Sequence, residues 1–228
     1  MREQEGVLAS KVIGLRERNR QHRIGLILGA ASRLFAQSGY DSTRIEEIAE
    51  AAEVAPATVY NYFTNKANIL TALAARHAYS SWAERSAFVQ SPPGDPMEAV
   101  QGFERLLADQ AMRTLGRECW RVILSAPYLQ PGSRLHRAGI IFGWLIERHY
   151  RRMLRTFKER DQLDADVDIR ALAELITAIG TYHFGCFISD ETMTLDTLKH
   201  EIEKHVLIIF LGVVPRQARP DAPGVLVD

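Results

Sequence analysis

Cysteine is scarce in this chain: Cys119 and Cys186 are the two thiols among 228 residues. Their spacing fits no metal motif, and two thiols make no disulfide framework of the kind that holds small secreted domains together. They read as buried apolar side chains, with a redox pair as the alternative. Long apolar runs are scarce as well. Residues 1–23 hold no signal-peptide core, and the most apolar stretch, 171–188, is interrupted by Glu174 and His183. No segment is therefore expected to enter a membrane, and a cytoplasmic location is expected. Charge of one sign is also lacking, since 28 Lys and Arg balance 28 Asp and Glu. Neutrality argues against a general nucleic-acid coat protein, yet a few well-placed donors suffice to position a protein on specific DNA. G-x-S-x-G, the phosphate-binding loop and H-E-x-x-H are absent, so no catalytic residue, metal or cofactor is expected.

What is present is helical. Apolar residues make up 46% of the chain, enough for a sizeable core, and they recur with helical rather than strand periodicity. Residues 1–22 read as a flexible basic leader, with Arg2, Lys11, Arg16, Arg18, Arg20 and His22. From Arg23 a stripe of Ile24, Ile27, Leu28, Ala31, Leu34 and Phe35 predicts a first helix, closed by Gly39. Thr43 and Glu46 have capping-box spacing for a second helix, whose apolar side is Ile45, Ile48, Ala49 and Ala52. A break of about four residues leads to Pro56, which suits the first turn of a short third helix. A fourth runs from about Lys66 past Trp82, with Ile69, Leu70, Leu73 and His77 inward. Further helices are predicted at about 96–113, 117–126, 133–160, 167–188 and 195–212, the first of them capped by Asp95. Pro127 is expected to end the second of these, and the tail 213–228 is expected to be disordered.

Two short helices joined by a tight turn, over residues 44–62, form a helix-turn-helix, which places its second helix in the major groove of DNA. The residues narrow this further. Gly39-Tyr40, Thr43, Ile48-Ala49, the run from Ala52 through Ala57, Thr58, Val59, Tyr60, Asn61, Tyr62 and Phe63, then Lys66 and Leu70, closely resemble the TetR family pattern. That pattern is G-[FY]-x-x-[TS]-x-x-x-x-I-A-x-x-A-G-V-S-x-G-T-x-Y-x-Y-F-x-x-K-x-x-L. The resemblance implies an all-α fold: a three-helix DNA-binding domain at about 23–65 and a helical ligand-binding and dimerisation domain at about 66–212.

It also implies roles, position by position. Thr43 and Tyr62 would contact phosphates through their hydroxyls, and Lys66 would neutralise another; Thr43 can equally serve only as a cap. Arg44 is placed to reach the DNA backbone. Thr58, Tyr60 and Asn61 would face the groove or its walls, and the Ala57 methyl could pack on a thymine. Three departures from the pattern stand out. Glu53 replaces the turn glycine, where a left-handed backbone costs a residue with a Cβ roughly 1–2 kcal/mol. Ala55 replaces the capping serine, worth about 1 kcal/mol, and Ala57 replaces a glycine.

The remainder resembles the family in architecture alone. Stripes of Ile169, Leu172, Ala173, Ile176, Ile179 and His183, then Leu195, Leu198, Ile202, Val206 and Ile209, suggest a homodimer through the last two helices, with Ala178, Gly180 and Gly185 allowing close approach. Burial within one subunit is the alternative. Phe103, Leu107, Trp120, Ile123, Phe142, Leu145 and Tyr182 are candidate linings for a small apolar or aromatic effector, with plain core as the alternative. The basic run Arg148, Arg151, Arg152, Arg155, Lys158 and Arg160 reads as a solvated helix end. His183 and Cys186, three apart, could ligate a metal with His200 or His205, but hydrogen-bonded core histidines are the favoured reading. The function so implied is a ligand-responsive regulator, a repressor that leaves operator DNA when its effector binds. The alternatives are an activator of the same fold, or a helical interaction protein whose helix-turn-helix has degenerated.

Overall fold

The computed structural model describes the backbone of residues 2–213 and the side chains of residues 16–212. Nine helices follow one another among the described residues, with no strand. They are α1 (Arg2–Ser38), α2 (Ile45–Ala51), α3 (Pro56–Phe63), α4 (Lys66–Gln90), α5 (Pro96–Thr114), α6 (Arg117–Leu129), α7 (Arg134–Lys158), α8 (Ile169–Ser189) and α9 (Leu195–Val213). The expected tail lies outside the described residues, apart from Val213, which closes α9.

Short polar caps set most boundaries. Asp95 accepts from the Glu98 N–H at 2.8 Å, with Pro96 at the first helical position of α5. Ser133 caps α7, Asp168 caps α8 and Thr194 caps α9, each through a side-chain oxygen on a first-turn N–H. Two boundaries depart from expectation. α1 begins at Arg2, so the leader is helical and not irregular. It holds no proline and is rich in Arg, Glu and Gln, which lose little on entering a helix. α6 runs through Pro127 to Leu129. A proline in the last turn forfeits one backbone bond and does not break the helix.

The chain divides into two compact units. Met1–Ala78 and Met112–Gly139 form the first, and Tyr79–Ala111 and Ile140–Asp228 the second. The first unit thus takes in part of α4 and all of α6 besides the helix-turn-helix. Its core holds Ile27, Ala31, Phe35, Ile48, Val59, Phe63, Ile69, Leu70 and Leu73, together with Trp120 and Ile123 of α6. His77 is fully buried and meets Trp120 edge-on, with ring centroids 5.4 Å apart.

In the second unit α8 and α9 pack together. The stripes expected to form a dimer face are largely internal: Leu172, Ala173, Ile176 and His183 of α8, and Leu198, Ile202 and Val206 of α9, are buried within the chain. Both helices carry a second apolar side that is exposed, with Leu175 and Tyr182 on α8 and Leu207, Ile208 and Leu211 on α9. α8 has 21 residues and a mean hydropathy of 1.4, enough to cross a membrane by length and composition. Gly180 also has a different role from the one expected. A Cβ there would lie 2.6 Å from the Glu104 carboxylate, so the close approach it permits is to α5.

Candidate nucleic-acid interface

The turn between α2 and α3 forms as the family pattern requires, despite its residues. Glu53 adopts φ +55, the left-handed conformation in which a Cβ is strained. It is held there because its N–H reaches the Glu50 carbonyl and the next N–H, of Val54, reaches Ala49 O, both at 3.0 Å. Ala55 is the N-cap of α3 and supplies no side-chain bond, while Pro56 presets the first turn. On α3, Val59 and Phe63 are buried and anchor the helix from beneath. Ala57, Tyr60 and Asn61 are exposed, and Thr58 and Tyr62 are half-buried. Spacings of three and four residues put Ala57, Tyr60 and Asn61 on one outward stripe.

The approach to α2 is a polar clamp. Gly39 takes φ +85 at the end of α1, and Thr43 is buried with its hydroxyl donating to Gly39 O at 2.6 Å. The N-cap of α2 is Arg44, one residue later than expected, because the Thr43 hydroxyl is turned back into this loop. The reciprocal partner shifts with it, and Glu47 accepts the Arg44 N–H at 2.8 Å. Lys66 sends its ammonium to three carbonyls: Tyr40 at 2.6 Å, Asp41 at 3.0 Å and Thr43 at 3.1 Å. It also lies 4.5 Å from the centroid of the Tyr40 ring. Thr43 and Lys66 are thus engaged by the loop backbone, and they hold the approach to α2 from within.

Glu118, in the first turn of α6, closes the clamp. It accepts the Asp41 N–H at 2.6 Å, and its carboxylate fills the space a Cβ at Gly39 would need. The residue pattern carried no sign of this contact, which spans 77 positions. Beside it, burial pushes the Cys119 thiol up to about 12 and the Tyr40 phenol to about 12. Cys119 is thus a buried, protonated thiol, while Cys186 is exposed, against expectation.

The outward surface carries both signs of charge. The Arg44 side chain is 72% exposed and sits 3.5 Å from Glu47. Tyr60 donates to Glu46 at 3.3 Å, and that carboxylate raises the Tyr60 phenol above its ordinary range. The Arg20 guanidinium lies 5.9 Å from the centroid of the Tyr62 ring. An exposed ion pair is worth little in water, so these side chains can exchange partners at little cost.

The residues expected around an effector are dispersed. Trp120 and Ile123 are buried in the first unit. Phe103 is fully buried in the second, against the rings of Tyr150 and Phe88. Leu107, Phe142 and Leu145 are half-buried there, with Phe142 under the Arg85 guanidinium at 5.2 Å. Tyr182 is 67% exposed on the outer side of α8, which removes it from any interior lining. A cavity of about 420 Å³ in the second unit is lined by Asp95, Pro96, Met97, Gln162, Leu207, Phe210 and Leu211, and includes none of the expected residues.

More unexpected is a buried polar cluster. Tyr150 donates to Glu104 at 2.6 Å, with both residues interior, and desolvation raises the Glu104 carboxyl to about 7. The Arg85 Nε donates to the Gln110 Oε1 at 2.6 Å, and the Gln110 amide donates to Glu84 at 2.8 Å. Burial lowers the Arg85 guanidinium to about 10. On α8 and α9, His183 Nε2 lies 3.1 Å from His205 Nδ1, which also meets Glu201 O. His183 and His205 are thus a hydrogen-bonded ring pair.

Residues 27–73 match the model of the bacterial regulatory proteins of the tetR family. The HTH-type transcriptional regulator YvkB of Bacillus subtilis is 36% identical over 69 residues, which is 30% of this chain and 34% of that one. The HTH-type transcriptional repressor KstR of Rhodococcus jostii is 32% identical over 93 residues, 40% of each chain. The chain thus spans about a third to two-fifths of the length of these curated relatives. Among solved structures, Thermus thermophilus FadR, a TetR family transcriptional repressor in complex with lauroyl-CoA, matches with a TM-score of 0.65 at 21% identity. That match covers 89% of this chain and 100% of the other, and it is a likeness of fold. Residues 27–73 are thus a DNA-binding region of the tetR-family type, and the fold of the described residues is like that of TetR family structures.

Proposed function

We propose that the chain is a DNA-binding transcriptional regulator that acts as a homodimer and, as a repressor, leaves its operator when a small effector binds. The observation that carries this reading is the outward stripe of Ala57, Tyr60 and Asn61 on a helix anchored from below by Val59 and Phe63. A major groove admits such a helix, and its base edges distinguish sequences through side chains of this size. The Tyr62 hydroxyl and the Arg44 guanidinium flank the stripe as contacts to the sugar-phosphate backbone. Thr43 and Lys66 hold the loop before α2 in place, and any phosphate contact from them needs that loop to rearrange.

The dimer partner fits the exposed side of α8 and α9, where Leu175, Tyr182, Leu207, Ile208 and Leu211 would be covered by a second copy. Ala178 is exposed between Leu175 and Tyr182 and leaves room for close approach. A two-fold pair presents two recognition helices to half-sites one helical turn apart. The effector is a small molecule with an apolar or aromatic body, a reading supported by the half-buried apolar side chains of Leu107, Phe142 and Leu145 in the second unit. The FadR of Thermus thermophilus holds lauroyl-CoA, whose acyl chain is apolar while its coenzyme A part is polyanionic. Release follows if the effector prefers the dimer state that does not fit DNA.

Titration of a labelled DNA fragment from upstream of its own gene tests the reading. A specific fragment should bind two chains per site and at least about 10³-fold more tightly than random DNA. Equal affinity for both fragments at moderate salt would end the proposal.

A further inference from the structure

We propose that Arg16, Arg20 and Arg23, on the amino-terminal extension of α1, form a second contact to the DNA sugar-phosphate backbone beside α3. The inference rests on the DNA-binding reading above and extends the interface beyond the helix-turn-helix. α1 does not stop where its packing ends, but continues toward the amino terminus as one helix. At 100° per residue, Arg16, Arg20 and Arg23 fall within about 60° of one another, on the stripe that carries Ile27 and Ala31. Ile27 and Ala31 are fully buried, whereas the three arginines are exposed. One face of one helix thus changes from core to cation where it leaves the small domain.

This face comes beside the third helix at Arg20. The Arg20 guanidinium lies 5.9 Å from the centroid of the Tyr62 ring, which places the middle of the arginine row next to α3. The three arginines span about 10 Å of helix axis, and one DNA strand presents a phosphate every ~3.4 Å. The opposing acid is Glu17, 3.4 Å from Arg20, with both side chains about half exposed. Such a pair gives up little when a phosphate replaces the carboxylate. The balance of 28 basic and 28 acidic residues makes this local excess the more telling. A contact of this kind carries no sequence information; it adds affinity and fixes orientation.

The test uses the full chain and compares three variants with the parent. These are Arg16, Arg20 and Arg23 all changed to Gln, the same three changed to Lys, and Arg152, Arg155 and Arg160 changed to Gln as a charge-matched control. Binding to the specific fragment and to random DNA is measured across a salt series, with melting curves to confirm folding. The first variant should flatten the slope of log affinity against log salt by about 2–3. It should also weaken both DNAs by a similar factor, ten-fold or more at moderate salt. The lysine variant should keep most of the slope, and the control should keep the parent slope. If the glutamine variant at positions 16, 20 and 23 binds with the parent slope, the second contact is overturned while the regulator reading stands. If it flattens the slope no more than the control does, the effect is net charge and the proposal also fails. If the parent itself shows no preference for specific DNA, the regulator reading is what fails.

Discussion

In the first unit, the polar side chains that organise the fold reach for backbone; in the second, they reach for one another. Thr43, Lys66 and Glu118 satisfy carbonyls and an N–H of the loop before α2, at the surface of the unit. Glu104, Tyr150, Arg85 and Gln110 form a side-chain network taken out of water. Side chains that serve a backbone turn hold one local geometry. A desolvated carboxyl and guanidinium are far more sensitive to their surroundings.

The largest test of this contrast is titration of the second unit. The folded Glu104 carboxyl titrates at about 7 against an ordinary 4.5, so the folded chain binds a proton more tightly than the unfolded one. Its contribution is full below pH ~4.5 and is lost as pH rises to about 7. Glu104→Gln keeps an acceptor for Tyr150 and removes the titration. Its stability relative to the parent should rise by roughly 3 kcal/mol between pH 4 and pH 8, read from denaturant melts. A flat difference would mean that the carboxyl is not desolvated as described.

A smaller effect is expected at the clamp. Lys66→Met removes three charge-assisted bonds to carbonyls that water can partly reach, and should cost about 2 kcal/mol. DNA affinity should fall by a similar factor for every sequence, because the loop that carries α2 loosens. Were the variant as stable as the parent and weaker only on DNA, Lys66 would be a direct phosphate ligand instead. The smallest effect belongs to the turn. Glu53→Gly relieves a left-handed residue and should raise stability by about 1 kcal/mol, after the extra freedom of glycine in the unfolded chain is offset. A loss of stability on thermal melting would show that the Glu53 side chain makes a contact worth more than its strain.

The same contrast explains what could be read from the residues. The first unit was legible because its motif is local: Gly39, the α2–α3 turn and the Tyr60 to Phe63 run lie within a short stretch of chain. The box before α2 was displaced by one residue because the Thr43 hydroxyl had two possible backbone partners and only packing chose between them. Tyr182 and the stripes of α8 and α9 were assigned to the wrong sides because both helices are apolar on two faces. Periodicity identifies an apolar face but not what covers it.

The sequence alone determined most of the helices, the Asp95 cap of α5 and the helix-turn-helix, since these follow from periodicity, short-range hydrogen bonds and a contiguous motif. Tertiary structure alone decided that Glu118 would close the loop at Gly39, that Glu104 would be buried under Tyr150 and that Arg20 would lie beside Tyr62. Each of those contacts joins residues more than 40 positions apart, and the energy of desolvating a charge or closing such a loop depends on the whole fold around it.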